Sequence, residues 1–541
     1  MRIDPIALRS KQLLFHDYKN NFQSLEDKFE YNPQDQSIWS NRFNYLRNNN
    51  YQREALSTVI QHMNEKWGAP STTCTNIEKL KREESTVVIA GQQAGLMTGP
   101  LYTVHKIISV LQLARQKEKE LNKPVIPIFW IAGEDHDFDE INHLFMKENQ
   151  SMKKITIQQI PEKKASVSDI TIAQENAENW VNQIFQVVKE TEFTSDFYHQ
   201  VVHALKQSES YSDFFARLVY LLFPEEGLVV VDAHDPHIRN LESPYFKTMI
   251  EKNEDIAKGV FSALQINRQQ GYETVLDSEW NDAHLFYHHN GERVLLSRDE
   301  DGSFRGKNNE VAFSKEELLQ VAEENPEHLS NNVVTRPLMQ ESLFPVLAFI
   351  GGPGEINYWA VLKPAFQAAG MQMPPVLPRL SFTLIDRKAE QTMDRLQIEA
   401  VHGVQYGTGE EKMKWLASRN SPPIQELSKQ VKSEIDRIHR PLREKSSDFG
   451  PDIEQLAEKN LQYIFQDIDF LEKRMIQSLE QKYEQEITQF DDLGLLLHPG
   501  GGLQERMWSI VPWVNQHGTD LFQRINQHHY SFDQDHYVVY V

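Results

Sequence analysis

The run Val87-Val88-Ile89-Ala90-Gly91-Gln92-Gln93-Ala94-Gly95-Leu96-Met97-Thr98-Gly99-Pro100-Leu101-Tyr102-Thr103-Val104-His105-Lys106 constrains this chain more than any other segment. A β-branched, apolar stretch stops at a loop carrying Gly91, Gly95 and Gly99, and a long amphipathic helix follows. The pattern predicts a strand–turn–helix whose backbone N–H groups and short side chains converge at the C-terminal end of a parallel strand, a place that receives anionic or nucleotide-like ligands. A tight turn needs only the glycines. Gln92, Gln93, Thr98, Tyr102, His105 and Lys106 on the same connection are surplus to it, and they become candidate ligand contacts.

The text from Thr86 onward keeps alternating. Strands are expected at Thr86–Ala90, Val125–Ala132, Leu228–Asp232, Val346–Ile350 and near Val376. Helices are expected at about Leu101–Lys119, Tyr211–Phe223 and Ile356–Ala369. Apolar runs bounded by glycine or proline and separated by amphipathic helices predict an α/β, Rossmann-like, doubly wound parallel sheet. Residues 1–85 read as a mostly helical segment packing on a core over 86–383. Two insertions interrupt that core. One, at about 145–200, carries a β-like run Ile155–Ile160. The other, at about 265–330, holds a hairpin signal at Asn290-Gly291 between His284–His289 and Arg293–Ser297, then a turn at Asp301-Gly302.

Over 384–490 the period changes. Leu461, Ile464, Ile468, Leu471 and Met475 recur at spacings of three and four, as do Val431, Ile435, Ile438 and Leu442, with a turn at Ser446–Pro451 between them. An antiparallel coiled-coil hairpin follows from that spacing, with more apolar seam than one intrachain pair needs, so a homodimer is expected. Residues 491–541 return to the core.

Composition narrows the class of partner. The formal net charge of −22, from 78 acidic and 56 basic side chains, repels phosphate backbones and anionic membranes, so no nucleic acid or membrane partner is expected. A local basic pocket for a small anion is still allowed. The single cysteine, Cys74, excludes an intrachain disulfide and a Cys-based zinc or iron–sulfur site. Neither an apolar leader nor an 18-residue apolar run is present, and a cytoplasmic protein is expected.

Two further polar clusters sit where a parallel sheet places its ligands. In Trp130-Ile131-Ala132-Gly133-Glu134-Asp135-His136-Asp137-Phe138-Asp139-Glu140, six of the last seven residues are ionisable. The cluster reads as a divalent-metal site, as carboxylates gripping a substrate ammonium or sugar hydroxyls, or as a charged helix N-terminus. The third cluster runs from Arg336 through a strand to Gly351-Gly352-Pro353-Gly354-Glu355-Ile356-Asn357-Tyr358. It repeats the strand–glycine loop–helix theme, and Arg336 is a candidate anion partner. Arg379 and Ser381 follow in Pro378–Thr383.

The blocks Gly91–Lys106, Trp130–Asp137, Arg336–Trp359, Pro378–Thr383 and Pro499–Arg506 resemble the cysteine-ligase family of bacillithiol biosynthesis over essentially the whole chain. The resemblance implies addition of L-cysteine to the amine of glucosaminyl-malate, a core like that of class I aminoacyl-tRNA synthetases, and a coiled-coil dimer. Pro100-Leu101-Tyr102-Thr103-Val104-His105 parallels the synthetase Pro-Leu-His-Ile-Gly-His pattern with Tyr102 at the first histidine. Arg379-Leu380-Ser381-Phe382-Thr383 stands where Lys-Met-Ser-Lys-Ser would, without the second lysine.

Joining a carboxylate to an amine in water requires activation, so ATP or another adenine nucleotide, with Mg²⁺, is the expected cofactor, and no protein-bound metal is expected. On this reading His105, His136 and Asp137 are catalytic candidates. Gln92, Gln93, Thr98, Tyr102, Glu134, Asp135, Arg336, Glu355, Tyr358, Arg379 and Ser381 bind substrate, and Gly95, Gly99, Lys106, Gly351 and Gly352 face the nucleotide. The competing readings are a metal-dependent hydrolase built on Glu134–Glu140 and a non-catalytic coiled-coil assembly protein.

Overall fold

A computed structural model describes residues 1–420 and 422–541. Its centre is a five-stranded parallel sheet made of β1 (Thr86–Gln92), β2 (Val125–Ile131), β3 (Val229–Asp232), β4 (Val346–Gly351) and β5 (Val376–Pro378). The spatial order is β5-β4-β1-β2-β3. Every residue of β2 and β3 is buried, which explains their unbroken Val/Ile runs: both faces are covered, so no polar alternation is needed. Each fully buried Val or Ile contributes roughly 1.5–3 kcal/mol. Helix α1 (Tyr102–Leu121) packs on β1 and β2, and the N-terminal helices Ile38–Arg47, Arg53–Lys66 and Ser71–Leu80 pack on β4, β3 and β2.

The chain builds outward from β1 to β3, then returns to lay β4 against the other side of β1. The strand order therefore reverses between β1 and β4. The carboxyl ends of these two strands, Gly91–Gln92 and Gly351, flank the crevice where open α/β sheets bind ligands.

Element boundaries depart from expectation where long-range pairing decides them. β1 runs on to Gln92 because Gly91 and Gln92 pair with Trp130 and Ile131. The helix expected over Ile356–Ala369 is two, α2 (Pro353–Trp359) and α3 (Lys363–Ala368), each with proline in its first turn, where the missing N–H costs nothing. In the first insertion the strand is Ser151–Thr156, paired with His143–Glu148. The expected run to Ile160 is interrupted ahead of Pro161, and Ile160 is 92% exposed. The second insertion forms an antiparallel sheet in the order Ala312–Phe313, Phe304–Gly306, Glu292–Arg298, Asp282–His289, Leu329–Asn331. Asn290 and Gly291 both take positive φ, 51° and 79°, as a tight two-residue hairpin turn requires.

Residues 1–85 are not helical throughout: Arg2–Ile6 is a strand. It pairs with His536–Tyr540, which also pairs in parallel with Phe382–Ile385. Beyond this sheet, helices Arg387–Leu396 and Glu484–Leu497 share a small core built on Met393, Val404, Phe490 and Leu497. From that base rises the helical hairpin of α4 (Ile424–Ser446) and α5 (Pro451–Lys482). Leu461 is the one buried residue of α5, while Ile438, Leu442, Phe470 and Leu471 are 59–67% exposed. Among the described residues no helix is long and apolar enough to cross a membrane.

Candidate functional site

The loop after β1 is held by its glycines. A Cβ on Gly95 would lie 2.9 Å from Gly99 Cα, and Met97, Thr98 and Gly99 all adopt positive φ. The N–H groups of Gly95 and Gly99 donate to Gln93 O and Leu96 O, so these two glycines shape the loop and do not offer their amides to a phosphate. The Gly352 N–H is likewise taken, by Glu355 Oε2 at 2.8 Å. Thr98 is fully buried, with its hydroxyl lacking a partner among the described residues.

Across the switch point the two glycine loops are tied together. Lys106, on the first turn of α1, donates to Gly91 O (2.7 Å) and Gln92 Oε1 (2.9 Å) and pairs with Glu355 Oε2 at 2.5 Å. Burial lowers the Lys106 pKa, and Glu355 opposes that shift. Arg336 lies beside this bridge and donates to the Tyr358 hydroxyl at 2.9 Å. A guanidinium carries five N–H donors, and among the described residues Arg336 commits only this one contact.

A second assembly adjoins it. The Arg379 N–H donates to Gly351 O at 2.9 Å, which anchors this residue to the end of β4. Its guanidinium grips Glu505 through both oxygens, at 2.8 and 2.5 Å, with the Tyr102 ring 6.0 Å from the guanidinium carbon. Glu505 Oε2 also accepts from His105 Nδ1 at 2.6 Å. Burial pushes the Glu505 carboxyl up, but Arg379 and His105 outweigh it and hold the group well below its ordinary value. Burial lowers the His105 pKa. A neutral imidazole donating from Nδ1 leaves Nε2 as a lone-pair acceptor, and that atom is buried without a partner among the described residues.

The acidic segment after β2 is divided among several tasks. Asp135 accepts from Gln93 Nε2 and from the His136 N–H, both at 2.8 Å, and lies 3.7 Å from Arg293 of the inserted sheet. His136 is half-buried against Phe286, its pKa lowered by burial. Asp137 is exposed at the start of a single helical turn. Glu134 is not open to a substrate: it is buried against Arg239, which also binds Glu242 at 2.7 Å. Arg239 is aimed there by helix Pro236–Glu251, whose Asp235 N-cap accepts from the His237 and Ile238 amides. Among the described residues no three His, Cys, Asp or Glu side chains converge on a point that could hold a metal ion.

Ser381 also has a structural partner. Its hydroxyl meets His536 Nδ1 at 2.8 Å, while Thr383 Oγ1 meets Nε2 at 2.8 Å. Burial lowers His536 to about 4. The unfolded histidine, with its ordinary pKa of 6.5, takes up its proton first, so the contribution of this group is complete at pH 7 and lost between about pH 6.5 and 4. Compared with a His536→Gln variant, the wild type therefore loses on the order of 3 kcal/mol across that window. Urea unfolding of both proteins from pH 7.5 to 4 checks this, and parallel pH profiles would refute it.

The structure thus gathers Gln92, Lys106, Arg336, Glu355 and Tyr358 at the switch point, joins Tyr102, His105 and Arg379 beside it, and links Gln93 to Asp135. Glu505, Arg239, Arg293 and His536 were not assigned roles from sequence. Glu505 lies within the Pro499–Arg506 block, but nothing local to that block reveals its partners.

A family model described as "Bacillithiol biosynthesis BshC, N-terminal Rossmann-like domain" matches residues 1–380, and one described as "Bacillithiol biosynthesis BshC, C-terminal coiled-coil domain" matches residues 382–541. Among similar curated proteins, one from Oceanobacillus iheyensis is 40% identical over 545 aligned residues, and one from a Geobacillus species is 39% identical over 542. One from Bacillus licheniformis is 39% identical over 539. All three alignments span the full length of both chains, and all three proteins bear the name "Putative cysteine ligase BshC".

Proposed function

The chain belongs to the BshC family of bacillithiol biosynthesis, and from that premise we propose that it is a ligase adding L-cysteine to the amine of glucosaminyl-malate to form bacillithiol. The observation that carries this reading is the crevice at the β1/β4 switch point. There the Lys106–Glu355 bridge ties both glycine loops, and Arg336 presents a guanidinium with one hydrogen-bond partner among the described residues. In a chain of net charge −22, this is a local cationic site suited to a carboxylate or phosphate.

If ATP is the activating co-substrate, Arg336 would be the residue to hold its phosphates in this crevice, and Mg²⁺ would offset their charge. ATP would supply the leaving group that makes the cysteine carboxylate reactive. The protein's own part is to orient that carboxylate, exclude water and hold the His105–Glu505–Arg379 assembly fixed beside it. Mass spectrometry of a reaction containing the protein, L-cysteine, glucosaminyl-malate and ATP tests the proposal. Bacillithiol together with AMP or ADP is expected, and AMP would specify adenylation. Full recovery of both organic substrates would overturn it.

The chain also forms a homodimer in this reading, because α4 and α5 leave Ile438, Leu442, Phe470 and Leu471 exposed after packing on each other. A species of twice 63.0 kDa is expected in light scattering, reduced to 63.0 kDa by Phe470→Glu with Leu471→Glu. A wild-type monomer across micromolar concentrations would refute it.

A further inference from the structure

Three arginines meet carboxylates at the carboxyl end of the sheet, and they are not alike. Arg379 and Glu505 are locked through both oxygens. Arg239 is held between Glu134 and Glu242, with every partner almost wholly buried. Arg293 and Asp135 stand apart at 3.7 Å, beyond hydrogen-bonding range yet well within Coulomb range, and the Asp135 side chain is 32% exposed.

The gap has a cause on the arginine side. Arg293 Nε donates to Ser330 Oγ at 3.0 Å, another of its nitrogens donates to Asn331 O, and its guanidinium lies 3.8 Å over the Phe286 ring. All three anchors belong to the inserted sheet. The cation is therefore fixed by its own module and cannot close on the carboxylate. Asp135 is fixed independently, by Gln93 at one oxygen and the His136 amide at the other. Each carboxylate oxygen accepts about two hydrogen bonds, so acceptor capacity remains on both.

We propose that Asp135 receives the amine of the sugar substrate as its ammonium, and that Arg293 and Gln93 are the positioning residues that keep this carboxylate open and aimed. The assignment rests on the ligase reading above and names the group within it that recognises the acceptor. A carboxylate that was unpaired and mobile would spend binding energy on being ordered, and one locked to an arginine would have to break that pair first. Asp135 does neither. Its ionised state is supported as well: burial raises its pKa, but the Gln93 hydrogen bond and the Arg293 charge outweigh burial and the net shift is downward. His136, the next residue, lines an open cleft of about 1140 Å³ that runs along the first insertion to Glu292, and the partly exposed Asp135 side chain lies one residue outside its lining.

The test is calorimetric binding of glucosaminyl-malate and of its N-acetylated counterpart, which keeps every group except the cation. The wild type should favour the free amine by about 10–100-fold, the range for a charge-assisted hydrogen bond. Asp135→Asn should abolish that preference. Arg293→Gln and Gln93→Ala should each reduce it severalfold, and Arg293→Lys should retain most of it. The ratio of the two affinities is the readout because a merely structural lesion lowers both together and leaves the ratio unchanged. If Arg293→Gln does not fold, Gln93→Ala, altered in a loop, decides the point. A wild-type protein that binds both ligands equally would overturn the amine receptor and leave the ligase reading standing. Preference unchanged in Asp135→Asn, or in both positioning variants, would overturn the assignment of those residues. Binding of neither ligand by the wild type would overturn the substrate reading, and this proposal with it.

Discussion

Replacing His105 by alanine is expected to lower kcat/KM of the ligation reaction about 10²–10³-fold while leaving the protein folded. The fold should survive because the substitution orphans no charge. Glu505 keeps both contacts to Arg379, so the buried carboxylate retains its counter-ion. Activity should fall for two reasons. The imidazole holds one oxygen of Glu505 at 2.6 Å and thereby sets the orientation of the Arg379 guanidinium anchored at the end of β4. Its Nε2 is also a buried acceptor without a partner among the described residues, a group that a ligand in the crevice can satisfy. Steady-state kinetics alongside thermal melting checks the expectation. Wild-type turnover in a folded variant would remove His105 from the mechanism.

Arg239→Met is expected to be among the most destabilising single substitutions in the Rossmann-like part, costing about 3–5 kcal/mol. Arg239 is 1% exposed and is the shared counter-ion of two carboxylates buried as deeply. Its removal leaves two like charges facing each other in a poorly solvated space. Burial already pushes Glu242 up to about 7 with the arginine in place, so without Arg239 the buried pair should take up a proton in the folded state and the variant should regain part of its stability as the pH falls. Glu134→Gln preserves shape and leaves Glu242 paired with Arg239, so its cost should be much smaller. Urea midpoints at pH 7 rank the two variants, and a midpoint for Arg239→Met equal to wild type would show the network to be energetically neutral. Were Glu134 a substrate ligand, its glutamine variant would change binding at unchanged stability.

Glu134 also shows where reading a sequence stops. The strands, the glycine loops and the hairpin at Asn290-Gly291 were legible because each is written in neighbouring residues: a β-branched run, a turn dipeptide, a change of period. So was the gathering of polar side chains at strand ends, since each cluster directly follows an apolar run in the sequence. Partners were not legible. Glu134 and Asp135 are adjacent and equally acidic in the text, yet one is consumed by Arg239 and the other stays partly open beside Arg293. The same holds for Ser381, which looks like part of a ligand loop and is claimed by His536. Element ends failed for a related reason: β1 is lengthened by pairing with β2, and proline at Lys363-Pro364 starts a new helix inside one amphipathic pattern.

The return of the chain to β4 has a kinetic consequence. Val87 pairs with Val346, so the crevice between them cannot close until everything in between, including β2, β3 and the inserted sheet, has found a compact arrangement. Loop-closure entropy grows only logarithmically with length, about 0.6 kcal/mol per doubling, so the detour is tolerable at equilibrium. In rate it is not neutral, because pairings this distant in sequence form slowly and leave strand edges uncovered in the meantime. The open flank of β1 is such an edge until β4 arrives. Refolding should therefore regain helix signal and the local hairpins well before ligand-binding capacity, and the interval between them is when the chain is most prone to associate with its own kind.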